Sequence, residues 1–322
     1  MIVQKIHELP KETLREKLAK KQVLAPCVWD CMSTNIAACA GFDAVLLSGG
    51  TFAESNRGLP DIGMITQDDI IRGAEAISAY SNLPCIVDAD DGYGETPLNT
   101  YRTAKRLVAA GAGGFTLDDS TGIRGFPRGF EALRKGEKVE GKVVSRKVWL
   151  SKIKAALDAT EGTDCLLFAR TEAKMAEGID ESIERALLAK ELGAEMVCII
   201  GITTMEDAEY VAKYVPGWKM WPDVMSRNGV PDIDLDEVYK FGFNFVTMHI
   251  LEKGAYGGMM EQAGRFLRDR NTLYHDSYVF PYTTEDETNY LFWERNHDHW
   301  LQQESGYYGS ADHVMSGNNK EE

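Results

Sequence analysis

Asp88-Ala89-Asp90-Asp91-Gly92-Tyr93-Gly94 sets two carboxylates two residues apart at the end of an apolar run, Cys85-Ile86-Val87. Side chains alternate along a strand, so Asp88 and Asp90 are expected on one face. The next apolar run also ends in acids, Leu117-Asp118-Asp119. Carboxylates gathered this closely repel one another unless a divalent cation neutralises them. Magnesium suits such donors because it is a hard ion that takes oxygen ligands and keeps several waters; manganese is the natural substitute. Helix capping or solvation explains a single strand-end Asp as well, but two acidic clusters in succession favour the ion.

Arg170 closes another apolar run, Leu166-Leu167-Phe168-Ala169. A guanidinium there needs a partner, and its planar fork fits a substrate carboxylate or, alternatively, one of the acids just named. Ser48-Gly49-Gly50 offers unhindered backbone N–H groups to an oxyanion, or is an ordinary strand-to-loop turn. Tyr93 is the phenol beside the acidic motif, a candidate proton donor whose competing explanation is packing. His249 ends the last apolar run and is a candidate base or contact to substrate, although a strand-end imidazole is more often simply hydrogen-bonded. Glu294, His297 and His299 carry ligand-type side chains, but residues two apart on a helix do not face one another, so no metal site is read there.

Eight apolar runs position these residues: 23–30, 44–49, 85–90, 114–119, 165–170, 196–201, 219–224 and 243–249. Runs this apolar fit parallel strands covered by helices outside and packed on each other inside. Helical patterns lie between them at 33–41, 66–80, 97–111, 145–160, 180–193, 204–214 and 234–241, with 252–270 after the last. Eight strand–helix units predict an α/β chain folded as a closed (β/α)8 barrel, whose chemistry sits at the C-terminal ends of its strands. The barrel is expected over residues 1–270. Residues 271–302 are rich in aromatics and are read as a helical extension that packs on a neighbouring subunit, and 303–322, rich in Gly, Ser, Asn and Glu, as a flexible tail.

The 322 residues are 44% hydrophobic and 26% charged, which is ordinary for a globular chain with a real core. A net charge of −15 opposes attraction to nucleic acid or to an anionic membrane surface. A small anionic substrate stays compatible, because a metal ion and an arginine override the global field at short range. No run of about 18 apolar residues occurs, and the first residues read as a charged amphipathic helix without a signal peptide. Six cysteines in apolar or small-residue runs read as buried thiols of a reducing cytoplasm.

Ser48-Gly49-Gly50, Gly58-Leu59-Pro60-Asp61, Asp88-Ala89-Asp90 with Gly92-Tyr93-Gly94, Leu117-Asp118-Asp119 and Phe168-Ala169-Arg170-Thr171 are collinear. In order and approximate spacing they resemble the isocitrate lyase/phosphoenolpyruvate mutase superfamily, nearest its methylisocitrate-lyase-like branch, over residues 20–270. The resemblance implies a TIM barrel, a magnesium-stabilised enolpyruvate intermediate and tetramers built of helix-swapped dimers. It further implies that Asp88 binds the ion most directly, with Asp61, Asp90 and Asp118 acting through its waters. Arg170 holds the substrate carboxylate and the Ser48–Gly50 backbone the enolate end.

The sequence also departs from that pattern. Where lyases of the family carry a mobile Lys-x-Cys-Gly loop, this chain reads Ser120-Thr121-Gly122-Ile123-Arg124-Gly125-Phe126, and residues 120–144 hold neither cysteine nor histidine. Asp118 replaces the usual Glu, Ile200 replaces a polar group after the sixth strand, and Asp223-Val224-Met225 stands where the family has Asn-x-Thr. The metal half of the site is therefore kept while the half that meets the leaving group is rebuilt, with Ile200, Asp223, His249 and Arg124 as its candidate substrate contacts. The expected activity is cleavage of a C–C bond in a malate- or isocitrate-like 2-hydroxy acid. The alternatives are phosphoenolpyruvate mutase or phosphonopyruvate hydrolase chemistry, where Arg124 would serve a phosphonate, oxaloacetate hydrolysis or decarboxylation, and a metal-binding barrel without turnover.

Overall fold

The computed structural model describes residues 9–121, 142–227, 229–294 and 297–317. Eight strands close into a parallel barrel. They are β1 (Val23–Val28), β2 (Val45–Leu47), β3 (Cys85–Asp88), β4 (Gly114–Leu117), β5 (Leu166–Thr171), β6 (Met196–Ile199), β7 (Lys219–Trp221) and β8 (Phe243–Met248). Each strand pairs with its sequence neighbour, and β1 closes the ring on β8 through Pro26 opposite Met248. The eight expected runs are these strands. The ladders stop one to three residues short of the polar ends of most runs, because those ends turn out of the sheet into the loops.

Alternation along the strands divides the apolar residues into two cores. Val23, Ala25, Cys27, Leu46, Ile86, Phe168, Cys198, Met220 and Phe245 fill the barrel, with the Phe168 and Phe245 rings packed edge-to-face at 5.0 Å. The opposite faces meet the helices in a larger cluster that includes Val45, Val87, Phe115, Trp149, Val197 and Trp221. Three helices matter to the site or to the molecule's outer surface. The first, α1 (Gly49–Phe52), leaves the end of β2 and runs on into a π-turn over Ala53–Arg57; it was not expected. The second, α2 (Ile250–Asp269), follows β8 and buries none of its side chains in the single chain. The third, α3 (His297–Gly317), is long. Residues 303–317, expected as a tail, continue this helix. Among the described residues no helix is long and apolar enough to cross a membrane.

Candidate active site

Asp88, Arg170 and a residue the sequence analysis passed over, Glu172, share one cluster at the C-terminal ends of β3 to β5. Asp88 Oδ1 accepts from Thr116 Oγ1 at 2.9 Å and from Arg170 Nη1 at 3.2 Å. Arg170 turns its other edge to Glu172, whose Oε1 accepts from Nε at 3.0 Å and from Nη2 at 2.5 Å. Both explanations of Arg170 therefore meet in one geometry, since it is paired to acids yet its side chain is 23% exposed at the mouth. Burial favours the neutral guanidine, but Glu172, Asp88 and Asp118 outweigh it and lift the Arg170 pKa further. Burial also pushes the Glu172 carboxyl up to about 7; Arg170 pulls the other way, and Asp118 and Asp119 add to the rise. The signal for Glu172 was in the sequence: Arg170-Thr171-Glu172 puts Arg and Glu two apart, on one face.

The paired acids after β4 have separate tasks. Asp118 Oδ1 accepts from the Ser120 N–H and hydroxyl at 3.0 and 2.9 Å, and the Asp118 N–H donates to Asp90 O at 2.8 Å. Asp119 turns inward, where its carboxylate accepts from Thr171 Oγ1, the Glu172 N–H and Arg185 Nη1 at 2.6, 2.8 and 3.1 Å. It ties β4 to β5 and to helix Ile179–Glu191 and so supports the site from behind.

Across the mouth, Ser48 caps α1: its Oγ accepts from the Thr51 N–H at 3.3 Å, while its own N–H donates to Val28 O at 3.1 Å. The Ser48 amide is thus committed to the fold, whereas Gly49 and Gly50 lie in the first turn, whose N–H groups a helix leaves without intrahelical acceptors. A Cβ at Gly49 would lie 3.4 Å from Asp88 Oδ2, and one at Gly50 only 2.7 Å from Asp61 Oδ2. Glycine here lets two carboxylates, one from β3 and one from the loop after α1, press against the same backbone turn.

That cradle bears on the expected metal. Among the described residues no three His, Cys, Asp or Glu side chains come close enough to cage an ion. No three-carboxylate cage is therefore built among the described residues. Magnesium commonly uses one or two carboxylates and fills its remaining positions with water, and Asp88 beside the Gly49–Gly50 turn, with Asp61 against it, fits that mode. Asp90 does not continue β3 as alternation predicts. Its φ is +50°, in the left-handed region, as is that of Tyr93 at +57°. Two non-glycine residues in that region within four positions mark a constrained loop, which commonly accompanies a functional site. The turn carries Asp90 into a cleft lined with Ile65, Gln67, Tyr93 and Gly94. The Tyr93 ring packs on the outer core and its hydroxyl oxygen is buried.

The remaining candidates lie on the far strands. Ile200 packs on top of the barrel core. Asp223 and His249 meet after β7 and β8, with Nδ1 of the imidazole 3.2 Å from Asp223 Oδ1. The same imidazole interacts electrostatically with the thiol of Cys27 on β1. Burial works against charge on His249, but the Cys27 sulfur and Asp223 outweigh it and raise its pKa well above the usual imidazole value. Burial raises the Cys27 pKa. Arg124 lies outside the described residues.

Residues 14–266 match the phosphoenolpyruvate phosphomutase family. The chain is 32% identical to 2,3-dimethylmalate lyase of Eubacterium barkeri over 232 residues, 72% of this chain and 76% of that one. It is 39% identical to 2-methylisocitrate lyase of Escherichia coli over 166 residues, about half of each chain (52% and 53%). The structure of oxaloacetate acetylhydrolase in complex with the inhibitor 3,3-difluorooxalacetate has the same fold, with a TM-score of 0.76 at 25% identity over 92% of this chain and 96% of that one.

Proposed function

The chain belongs to the phosphoenolpyruvate mutase/isocitrate lyase superfamily, and on that premise we propose that it is a carbon–carbon lyase acting on a malate-like 2-hydroxy acid. One observation carries the reading: Arg170 and Asp88 face the mouth 3.2 Å apart, opposite a glycine turn that holds a second carboxylate, Asp61. Arg170 is placed to take the substrate carboxylate with its Nη1 edge while Glu172 keeps the other edge fixed. The Gly49 and Gly50 N–H groups are placed to meet negative charge that develops on oxygen. Magnesium, or manganese in its place, would be held by Asp88 with Asp61, Asp90 and Asp118 acting through water, and would supply Lewis-acid polarisation of the substrate's oxygens. Ile200, packed against the barrel core, favours a substrate whose distal end is apolar. Asp223 and His249 complete the rebuilt side, and Arg124 is a further contact.

The working protein we propose is a cytoplasmic homotetramer, a dimer of dimers that exchange C-terminal helices. Two features support this. Helix α2 exposes Tyr256, Met259, Met260, Phe266 and Leu267. Helix α3 repeats apolar pairs at seven-residue intervals, Trp300-Leu301, Tyr307-Tyr308 and Val314-Met315, which is the period of helices that pack on helices.

The test is a substrate panel with magnesium, read by NMR: alkyl-substituted malates, isocitrates, oxaloacetate and phosphonopyruvate. Release of an oxo acid from a branched malate is expected, and Asp88→Ala should abolish it together with binding of oxalate. Phosphate release or rearrangement would transfer the chain to the carbon–phosphorus chemistry of the superfamily. Unchanged turnover in Asp88→Ala would refute the site.

A further inference from the structure

Residues 120–144, where related lyases carry a thiol acid, contain no cysteine or histidine, yet C–C cleavage leaves a carbanion that must be protonated. We propose that His249, oriented by Asp223 and Cys27, is the proton donor to the departing fragment. The inference rests on the lyase reading above and extends it to a residue on the opposite strands of the barrel.

The topology brings the three together. Cys27 lies on β1 and His249 just past β8; these strands pair with Pro26 opposite Met248, which puts the thiol beside the imidazole. Asp223 comes from the neighbouring loop after β7 and sets its Oδ1 3.2 Å from Nδ1. A carboxylate on one imidazole nitrogen sets the ring's orientation and favours its charged form. His249 follows the C-terminal end of β8 directly and its side chain is 40% exposed, on the same end of the barrel as Asp88 and Arg170. Cys27 is itself within electrostatic reach of Asp88, which ties this group to the centre proposed to hold the substrate. The groups facing the imidazole are thus Cys27 from β1 and Asp223 from the β7 loop, with Asp88 of β3 acting on the thiol.

The step balances without an added oxidant or reductant. The O–H bond at C2 gives its proton to solvent, C2 becomes a carbonyl, and the C2–C3 electron pair stays on C3 as a carboxylate-stabilised carbanion. C3 takes the proton from the His249 imidazolium, and the neutral ring regains one from solvent. Asp223 and Cys27 are positioning residues in this scheme.

The test compares His249→Gln and Asp223→Asn with wild type, using oxalate with magnesium to read the rest of the site. General acid catalysis contributes about 100- to 10,000-fold, so His249→Gln should lose at least about 100-fold in kcat, with oxalate affinity kept and activity partly restored by added imidazole. Asp223→Asn keeps the ring but removes one of the groups that favour its charged form, so the alkaline fall of kcat should move to lower pH. Wild-type kcat in His249→Gln, a loss that imidazole does not restore, or an unmoved alkaline limb in Asp223→Asn each overturns the proposal. A wild type that cleaves no 2-hydroxy acid removes the lyase reading itself, and the donor with it; a wild type that cleaves one while His249→Gln is unaffected removes only the donor.

Discussion

Replacing Glu172 by glutamine tests the electrostatics of the site without disturbing its shape. The carboxyl is 4% exposed and holds its proton up to about pH 7, against 4.5 for a free glutamate. Each pH unit of that difference corresponds to about 1.4 kcal/mol, so the folded state favours the protonated form by about 3 kcal/mol. The sign follows from proton uptake. Between pH 4.5 and 7 the folded chain holds a proton that the unfolded chain has lost, so stability is greatest below 4.5 and falls as pH rises to 7. Glutamine cannot ionise and removes this dependence. Urea unfolding of both proteins at pH 5, 6, 7 and 8 in EDTA, followed by the fluorescence of buried Trp149 and Trp221, should show the glutamine variant gaining on wild type by about 2 to 3 kcal/mol across the series. A difference that does not change with pH would refute the claim that burial, and not Arg170, controls this carboxyl.

Two further substitutions probe the frame. Gly50→Ala puts a methyl 2.7 Å from Asp61 Oδ2 and 2.8 Å from its Cγ, so Asp61 must move. Overpacking of this kind costs about 1–3 kcal/mol; a fall in kcat/KM of at least about tenfold is expected with the fold retained, and normal kinetics would show that Asp61 takes no part. Arg185→Met strands Asp119 in a pair whose side chains are only 3% and 0% exposed. Losing one partner of a buried pair costs about 3–5 kcal/mol, so thermal unfolding should shift down markedly, and adding Asp119→Asn should restore part of the loss.

The barrel was legible because every strand is a short apolar run between helices that repeat the same period, and the eight runs from Val23 to His249 all became strands. Three things escaped. Helix α1 begins with two glycines, weak helix formers, and forms because Ser48 caps it and Phe52 is buried against the core. Helix α3 was obscured by its Gly, Ser and Asn content, although its seven-residue apolar repeat was readable from the sequence. The side-chain directions of Asp90 and Asp119 depend on turns that residue type does not specify: Asp90 leaves the strand in a left-handed conformation, and Asp119 faces Arg185 because β4 ends at Leu117. The strand-end positions of Asp88, Arg170 and His249 were legible. Their partners were not, because pairing such as Cys27 with His249 is decided by which strand closes the ring.

The division of the Arg170 fork links the parts of the site. Nε and Nη2 are taken by Glu172, while Nη1 rests on Asp88 at 3.2 Å. On the proposed reading a substrate carboxylate would compete with Asp88 alone, and whatever neutralises Asp88 would also free that edge of the guanidinium. Glu172 holds the other edge of the guanidinium during that exchange, and orientation is what a bidentate contact requires. The acids and the arginine at this mouth thus make one coupled arrangement, in which binding of positive charge at Asp88 prepares Arg170 for a negative partner.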